Sequence, residues 1–256
     1  MNSTTTEHAI RKVVEYMRIN LGNDLTIDDM ARTAMFSKFH FTRIFKDATG
    51  ISPGRFLSAL RLQEAKRLLV RTDFSVADIS SQVGYSSVGT FSSRFKECVG
   101  IPPSEFRDRR GIMREIPRAA AMASLSDVAQ RRSLRGRVVR TPGSAPGPIF
   151  VGLFPSCVPQ GRPVRFTGLE EPGVFELADV PPGSWYVLAH SAPDAALDRP
   201  DVAASDELYV GRHGPVTVHA GTLVMPLQIV LRPRDALDPP VLLALHDMRA
   251  EHPASV

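Results

Sequence analysis

Two stretches of the chain repeat each other about fifty residues apart: LTIDDMARTAMFSKFHFTRIFKDATGISPGRF, from Leu25 to Phe56, and FSVADISSQVGYSSVGTFSSRFKECVGIPPSEF, from Phe74 to Phe106. Each copy opens with a hydroxyl residue followed three positions later by a carboxylate, Thr26 with Asp29 and Ser75 with Asp78. In that arrangement the hydroxyl takes an orphan backbone N–H and the carboxylate reaches back to the cap, so a helix starts at each. A short turn leads to a second helix carrying Phe41 and Phe45 in one copy and Phe91 and Phe95 in the other. The i, i+4 spacing puts both rings of each pair on one buried face. Gly50 and Gly100 are placed to stop these helices. Two short helices around a tight turn, made twice, predict a tandem helix-turn-helix.

The helical period assigns the faces. Over Ser37 to Asp47, Phe41, Ile44, Phe45 and Ala48 fall inward, and Phe39, Thr42, Arg43 and Lys46 project outward. Over Ser87 to Val99, Phe91, Phe95 and Cys98 fall inward, and Gly89, Ser92, Ser93 and Lys96 project outward. The outward sets correspond position by position. Arg43 has the planar fork that donates two hydrogen bonds to guanine O6 and N7, or else grips a phosphate. Phe39 is a large ring on an otherwise polar face, suited to thymine methyls or sugars, with burial as the alternative. Lys46 and Lys96 suit backbone positioning. Lys38 and His40 flank the first face within reach of phosphates, and Thr42 is short enough to approach a base edge. The second face, with Ser87, Gly89, Thr90, Ser92 and Ser93, has no long reader and is expected to anchor rather than specify.

Between the copies, Ser52-Pro53 starts a helix with proline at its first position. Phe56, Ala59, Leu62, Ala65 and Leu69 give it an apolar stripe reaching about Arg71, a length of roughly 27 Å at helical rise. A strut of that length can hold two recognition helices in successive major grooves on one face of a duplex. Ahead of the pair, Ala9, Val13, Val14, Met17 and Leu21 mark a support helix.

FTRIFKDATGISPGRF, the connecting RLQEAKRLL and VGYSSVGTFSSRFKECVGIPPSEFR resemble the paired helix-turn-helix domain of the AraC/XylS transcription regulators, over roughly Glu7 to Arg110. The resemblance implies a homeodomain-like all-α fold that binds double-stranded DNA and regulates transcription. Two departures stand out: Met35 sits at a turn position where that family often has glycine, and the domain lies N-terminal where the family more often has it C-terminal.

Composition divides the 256-residue chain near residue 118. Residues 1–118 hold 19 Lys+Arg against 13 Asp+Glu, net +6, and residues 119–256 hold 12 against 14, net −2. Only the first half has the electrostatic footprint of a polyanion binder. Seventeen of the 21 prolines fall in the second half, where hydrophobic alternation replaces helical periodicity. Domains are therefore expected at 1–112 and 133–256, joined by a linker at 113–132.

Strands are predicted at Leu134–Arg140, Ile149–Phe154, Val164–Thr167, Val174–Ala178, Trp185–His190, Glu207–Val210, Val216–His219 and Leu223–Leu231. Short strands with frequent turn signals indicate a β-sandwich. GVFELADVPPGSWYVLAHS, Gly173 to Ser191, resembles the signature of carboxypeptidase-regulatory-like or transthyretin-like domains, which implies a prealbumin-like sandwich and no peptidase activity. One ring of Trp185 and Tyr186 is expected in the core and the other at a ligand pocket or interface. The fold class is thus multidomain α plus β.

No enzymatic chemistry, cofactor or metal is expected. His190, His213, His219 and His246, with Asp194 and Asp206, lack paired ligand spacing and read as scattered surface residues. Cys157 has no adjacent base to activate it, and Cys98 reads as a small core residue. No run approaches the roughly 18 apolar residues of a membrane span, and the start has no leader pattern, so a cytoplasmic protein is expected. The function expected is a sequence-specific transcription regulator whose C-terminal domain takes a small-molecule or protein effector. The rivals are a non-specific architectural DNA binder and a ligand-binding or enzymatic module merely addressed to DNA.

Overall fold

Among the described residues, seven helices precede nine strands in chain order. The computed structural model describes residues 3–113, 133–143, 147–192, 208–219, 226–243 and 245–246. They form two units: residues 1–111 with the short segments 158–161 and 235–243, and the remainder. The sequence reading places all of 133–256 in the second domain, whereas residues 158–161 and 235–243 cluster with the helical unit. Of the predicted linker, only Met113 lies among the described residues.

The helices are α1 (Ser3–Ile19), α2 (Ile27–Thr33), α3 (Lys38–Thr49), α4 (Pro53–Arg71), α5 (Val76–Gln82), α6 (Val88–Val99) and α7 (Pro103–Asp108). Both capping boxes form: Thr26 and Ser75 accept from the backbone N–H of Asp29 and Asp78, whose carboxylates accept from the cap N–H groups. Both first helices end in the same way. The N–H of Phe36 donates to the Ala31 carbonyl and that of Met35 to Arg32, matched by Tyr85 to Ser80 and Gly84 to Ser81. This paired closure turns the chain through a left-handed residue, Met35 at φ 59° and Gly84 at φ 85°. Gly50 and Gly100 close α3 and α6 in the left-handed region too.

Each repeat buries an aromatic chain. Phe41 meets Phe45 at 5.5 Å and Phe45 meets Phe56 at 5.4 Å, both edge to face. Phe91, Phe95 and Phe106 repeat the arrangement at 5.7 and 5.5 Å. Ile44 and Ala48 are half-buried rather than core, and the inward place at the end of α3 belongs to Thr49, whose hydroxyl lies 2.8 Å from the Phe45 carbonyl. A hydroxyl that satisfies the preceding turn can be buried at little cost, which residue type alone does not reveal. The support helix buries Ile10, Val13, Val14 and Met17.

The connecting helix α4 spans the residues expected but is more than an amphipathic strut. Leu57, Leu60, Gln63, Lys66 and Leu68 are buried along with the predicted stripe. Arg61 ties it to the loop between α1 and α2, donating to the Leu21 carbonyl at 2.9 Å and that of Asn23 at 2.7 Å.

In the second unit, seven strands hydrogen-bond in the order β4-β3-β6-β7-β8-β2-β5. They are β2 (Leu134–Arg140), β3 (Ile149–Phe154), β4 (Arg165–Leu169), β5 (Val174–Leu177), β6 (Gly183–Ser191), β7 (Tyr209–Val218) and β8 (Leu227–Pro233). Two short strands, β1 (Ile112–Met113) and β9 (Leu245–His246), pair separately and in parallel. Parallel β2 and β8 link strands that would otherwise form two sheets, and the edge strands β4 and β5 approach each other. The all-β character is as the sequence indicates, but the strands form one nearly closed, barrel-like order in place of two separate sheets.

β7 merges two predicted strands. Gly214 and Pro215 lie where the pairing with β6 shifts register between Trp185 and Val187, and a ladder irregularity of this kind tolerates a residue without an N–H. The predicted residues 207 and 223–225 lie outside the described residues. Leu134, Val138, Val151, Phe175, Ile229 and Leu231 belong to the barrel core, and Trp185 packs against it with its indole donating to the Pro181 carbonyl at 2.9 Å. Tyr186 is half-buried. His190, expected at the surface, is buried with its ring 4.9 Å from that of Phe150, because β3 and β6 are covered on both faces there.

Candidate nucleic-acid interface

α3 and α6 present their outward faces in the same register, each anchored by its aromatic pair and started by a serine. Ser37 accepts from His40 N–H and Ser87 from Thr90 N–H, both at 3.4 Å. The sequence fixes these ends because serine at a cap satisfies an N–H that the helix cannot.

On α3, Phe39 is 84% exposed. Burying such a ring would be favourable by about 2 kcal/mol. At that exposure the burial alternative for this ring is excluded in the free protein. Arg43 is exposed, with its Nη2 3.3 Å from Nδ1 of His40. His40 in turn sits edge-on to Phe36 at 5.1 Å, so the ring props the guanidinium from one side. Lys38 pairs with Asp28 at 3.0 Å, both well exposed. Thr42 is half-buried and its hydroxyl donates to the Lys38 carbonyl at 2.9 Å, which commits its hydrogen to the helix and leaves only an acceptor for a base edge. Lys46 is exposed in the last turn.

On α6, Gly89, Thr90, Ser93 and Lys96 are exposed and Ser92 is half-buried. A Cβ at Gly89 would meet only Ser87 Oγ, at 3.7 Å, so no packing demand requires glycine there. The glycine leaves the helix surface bare at this position. Among the described residues, Arg43, Lys46 and Lys96 make no ion pair, so three cations on the two faces are available to an anion.

Residue types that the outward-face reasoning did not select also lie here. Met35, 88% exposed, stands in the turn beside Phe39, and Val88 is exposed where the first copy has Lys38. The left-handed turn position was the available signal for Met35. Cys98 is buried, and desolvation raises its thiol pKa, as befits a small core residue. Cys157 is half-buried. His213 and His219 are exposed, and Asp194 and Asp206 lie outside the described residues. No group of three His, Cys, Asp or Glu side chains among the described residues could hold a metal.

A pair of capped helix-turn-helix units on one rigid helix, with matching outward faces, defines a helix-turn-helix DNA-binding regulator. A family model described as a helix-turn-helix domain matches residues 30–109. The probable transcription factor PqrA of Proteus vulgaris is 33% identical over 104 residues, which cover 40% of this chain and 85% of that protein. The lactose operon transcription activator of Staphylococcus xylosus is 33% identical over 98 residues, 38% of this chain. The chain spans only 35% of that activator's length. A transcriptional regulator structure from Chromobacterium violaceum, described as having an AraC-type DNA-binding domain, shares 30% identity over 42% of this chain and 96% of its own, with a TM-score of 0.40. The chain belongs to the AraC-type family of helix-turn-helix transcription regulators.

Proposed function

We propose that the chain is a sequence-specific regulator of transcription that places α3 and α6 in successive major grooves of double-stranded DNA. The observation that carries this reading is the equivalence of the two outward faces, held at the two ends of α4. Arg43 is the base reader and Phe39 the apolar contact, while Lys38, His40, Lys46 and Lys96 grip phosphates. Thr42, Ser87, Gly89, Thr90, Ser92 and Ser93 line the close approach of the two helices. The asymmetry of the faces gives α3 most of the readout and α6 an anchoring role.

The protein acts without catalysis and in the cytoplasm; among the described residues, no helix is long and apolar enough to cross a membrane. Its β unit, read as a prealbumin-like module of the carboxypeptidase-regulatory-like type, takes a small-molecule or protein effector. Selection of bound sequences from random DNA tests the central claim. Enrichment of one motif with two half-sites a helical turn apart is expected. Recovery of unrelated sequences with equal affinity would favour a non-specific architectural binder.

A further inference from the structure

Lys66 lies in the middle of α4, 3% exposed, with no carboxylate partner among the described residues. Its Nζ stands 3.2, 3.2 and 3.1 Å from the carbonyl oxygens of Val241, Leu242 and Leu243, and 5.7 Å from the centre of the Phe106 ring. A lysine ammonium has three donors, and here three acceptors converge on it from one short segment. Burial alone lowers its pKa to about 7, while carbonyls that accept from the ammonium offset part of that cost.

The same segment makes further ties within this unit. Asp235 pairs with Arg11 of α1 at 2.9 Å. The N–H of Leu242 donates to the Pro159 carbonyl at 3.0 Å, and the N–H of Gly161 donates to the Cys98 carbonyl at 2.6 Å. Cys98 is in the last turn of α6, where helix carbonyls lack intrahelical partners. A Cβ on Gly161 would stand 3.0 Å from the Glu97 carbonyl, at a φ of 69° that already favours glycine. A continuous line of hydrogen bonds thus runs from α4 through residues 241–243 and 158–161 to the end of the second outward-facing helix. Val158, Val241, Leu242 and Leu243 are buried along it.

We propose that residues 158–161 and 235–243 form a strap, clasped by Lys66, whose docking fixes α6 against α4 and so sets how firmly the second helix-turn-helix engages DNA. Released, the strap leaves Lys66 of α4 uncovered and the Cys98 carbonyl at the end of α6 without its partner, while the first helix-turn-helix keeps its own core. The engagement of the second half-site then varies independently of the first. The strap stands on its geometry; only its effect on DNA rests on the function proposed above.

The test uses the full chain. Leu242→Asp places a charge at a site that is buried only when the strap is docked, and leaves every helix unaltered. Amine acetylation read by peptide mass spectrometry should label Lys66 far more slowly than Lys38, Lys46 and Lys96 in the wild type, and at a similar rate to them in L242D. The far-ultraviolet helix signal should stay unchanged. Lys66→Met, which keeps the volume and removes the donors, should accelerate amide exchange at Leu242 and Gly161 without affecting α3. On DNA, L242D should weaken binding by about tenfold, within the usual range for coupled sites, with footprint protection falling over one half-site only. Rapid labelling of Lys66 in the wild type, continued protection in L242D, or loss of the helix signal along with release would each overturn the strap. An exposed Lys66 with unchanged DNA affinity would overturn its role in engagement. A wild type that binds no duplex would overturn the regulator reading and the strap's effect on DNA, while acetylation would still decide the strap itself.

Discussion

Met35 and Gly84 hold the same turn in the two repeats, at φ 59° and 85°, and close the helix before them with the same pair of backbone hydrogen bonds. Only glycine adopts this conformation freely; a residue with a Cβ is strained there by roughly 1–2 kcal/mol. The surroundings differ as well. A Cβ at Gly84 would stand 2.4 Å from the Leu21 carbonyl and 2.7 Å from Arg61 Nη2. Met35→Gly should therefore raise the unfolding free energy by roughly 1 kcal/mol, and Gly84→Met should lower it by over about 2 kcal/mol. Urea denaturation of both variants checks the pair; similar effects of either sign would show that the two turns do not differ as described.

The contrast between Arg43 and Ser93, which share a register position, leads to a second expectation. Arg43→Ala should cost roughly 1–3 kcal/mol on the specific site and relax preference at one base pair. Lys96→Ala should weaken all sequences about equally and reduce the salt slope by about 1. Titration of both variants on specific and scrambled duplexes at several salt concentrations reads the difference. Equal losses for Arg43→Ala on both duplexes would make it a phosphate anchor.

Lys66 also makes stability depend on pH. Its pKa falls from 10.5 to about 7 on burial, so between those values the unfolded chain binds a proton that the native chain does not. Stability should rise with pH through this window, by at most about 1.4 kcal/mol per unit, and the contribution is flat below it, where both states are protonated. Lys66→Met should remove this part of the slope. Denaturant midpoints at a series of pH values for both proteins measure it, and identical slopes would place the Lys66 titration outside the window.

A fragment of residues 1–112 should be helical and bind DNA, because each repeat carries its own aromatic core. It lacks residues 158–161 and 235–243, however, and so the burial of Val241, Leu242 and Leu243, each of which contributes about 2 kcal/mol as a buried side chain. Its helical transition should come at a lower temperature than that of the full chain, and supplying those residues should restore part of the difference. A fragment as stable as the full chain would mean that these segments add nothing.

The helical unit was legible because its signals are local. Thr26 with Asp29, Ser75 with Asp78, the phenylalanine pairs and Gly50 and Gly100 act within a turn or two of their own positions. The phenylalanine positions on α3 and α6 and the exposure of Arg43, Lys46, Ser93 and Lys96 follow from that periodicity. Thr49 and Lys66 were not legible, because a polar side chain is buried when acceptors arrive from elsewhere, and those of Lys66 come from about 175 residues further along. β7 was split for a related reason: the irregularity that lets Gly214 and Pro215 continue the strand lies in its pairing with β6, and pairing is not written in a strand's own residues. The pairing of β2 with β8, distant in sequence and parallel, leaves no trace in alternation.

α4 carries one helix-turn-helix at each end, and its length acts as a phase setting. One residue added within it would rotate everything beyond by about 100° and advance it by about 1.5 Å, changing where the face of α6 lies relative to that of α3. Under the proposed two-groove reading, side chains on the two faces can change singly, whereas a change of one residue between Pro53 and Arg71 would move one face off its groove. The chain is free to learn new letters while remaining bound to a fixed spacing between words.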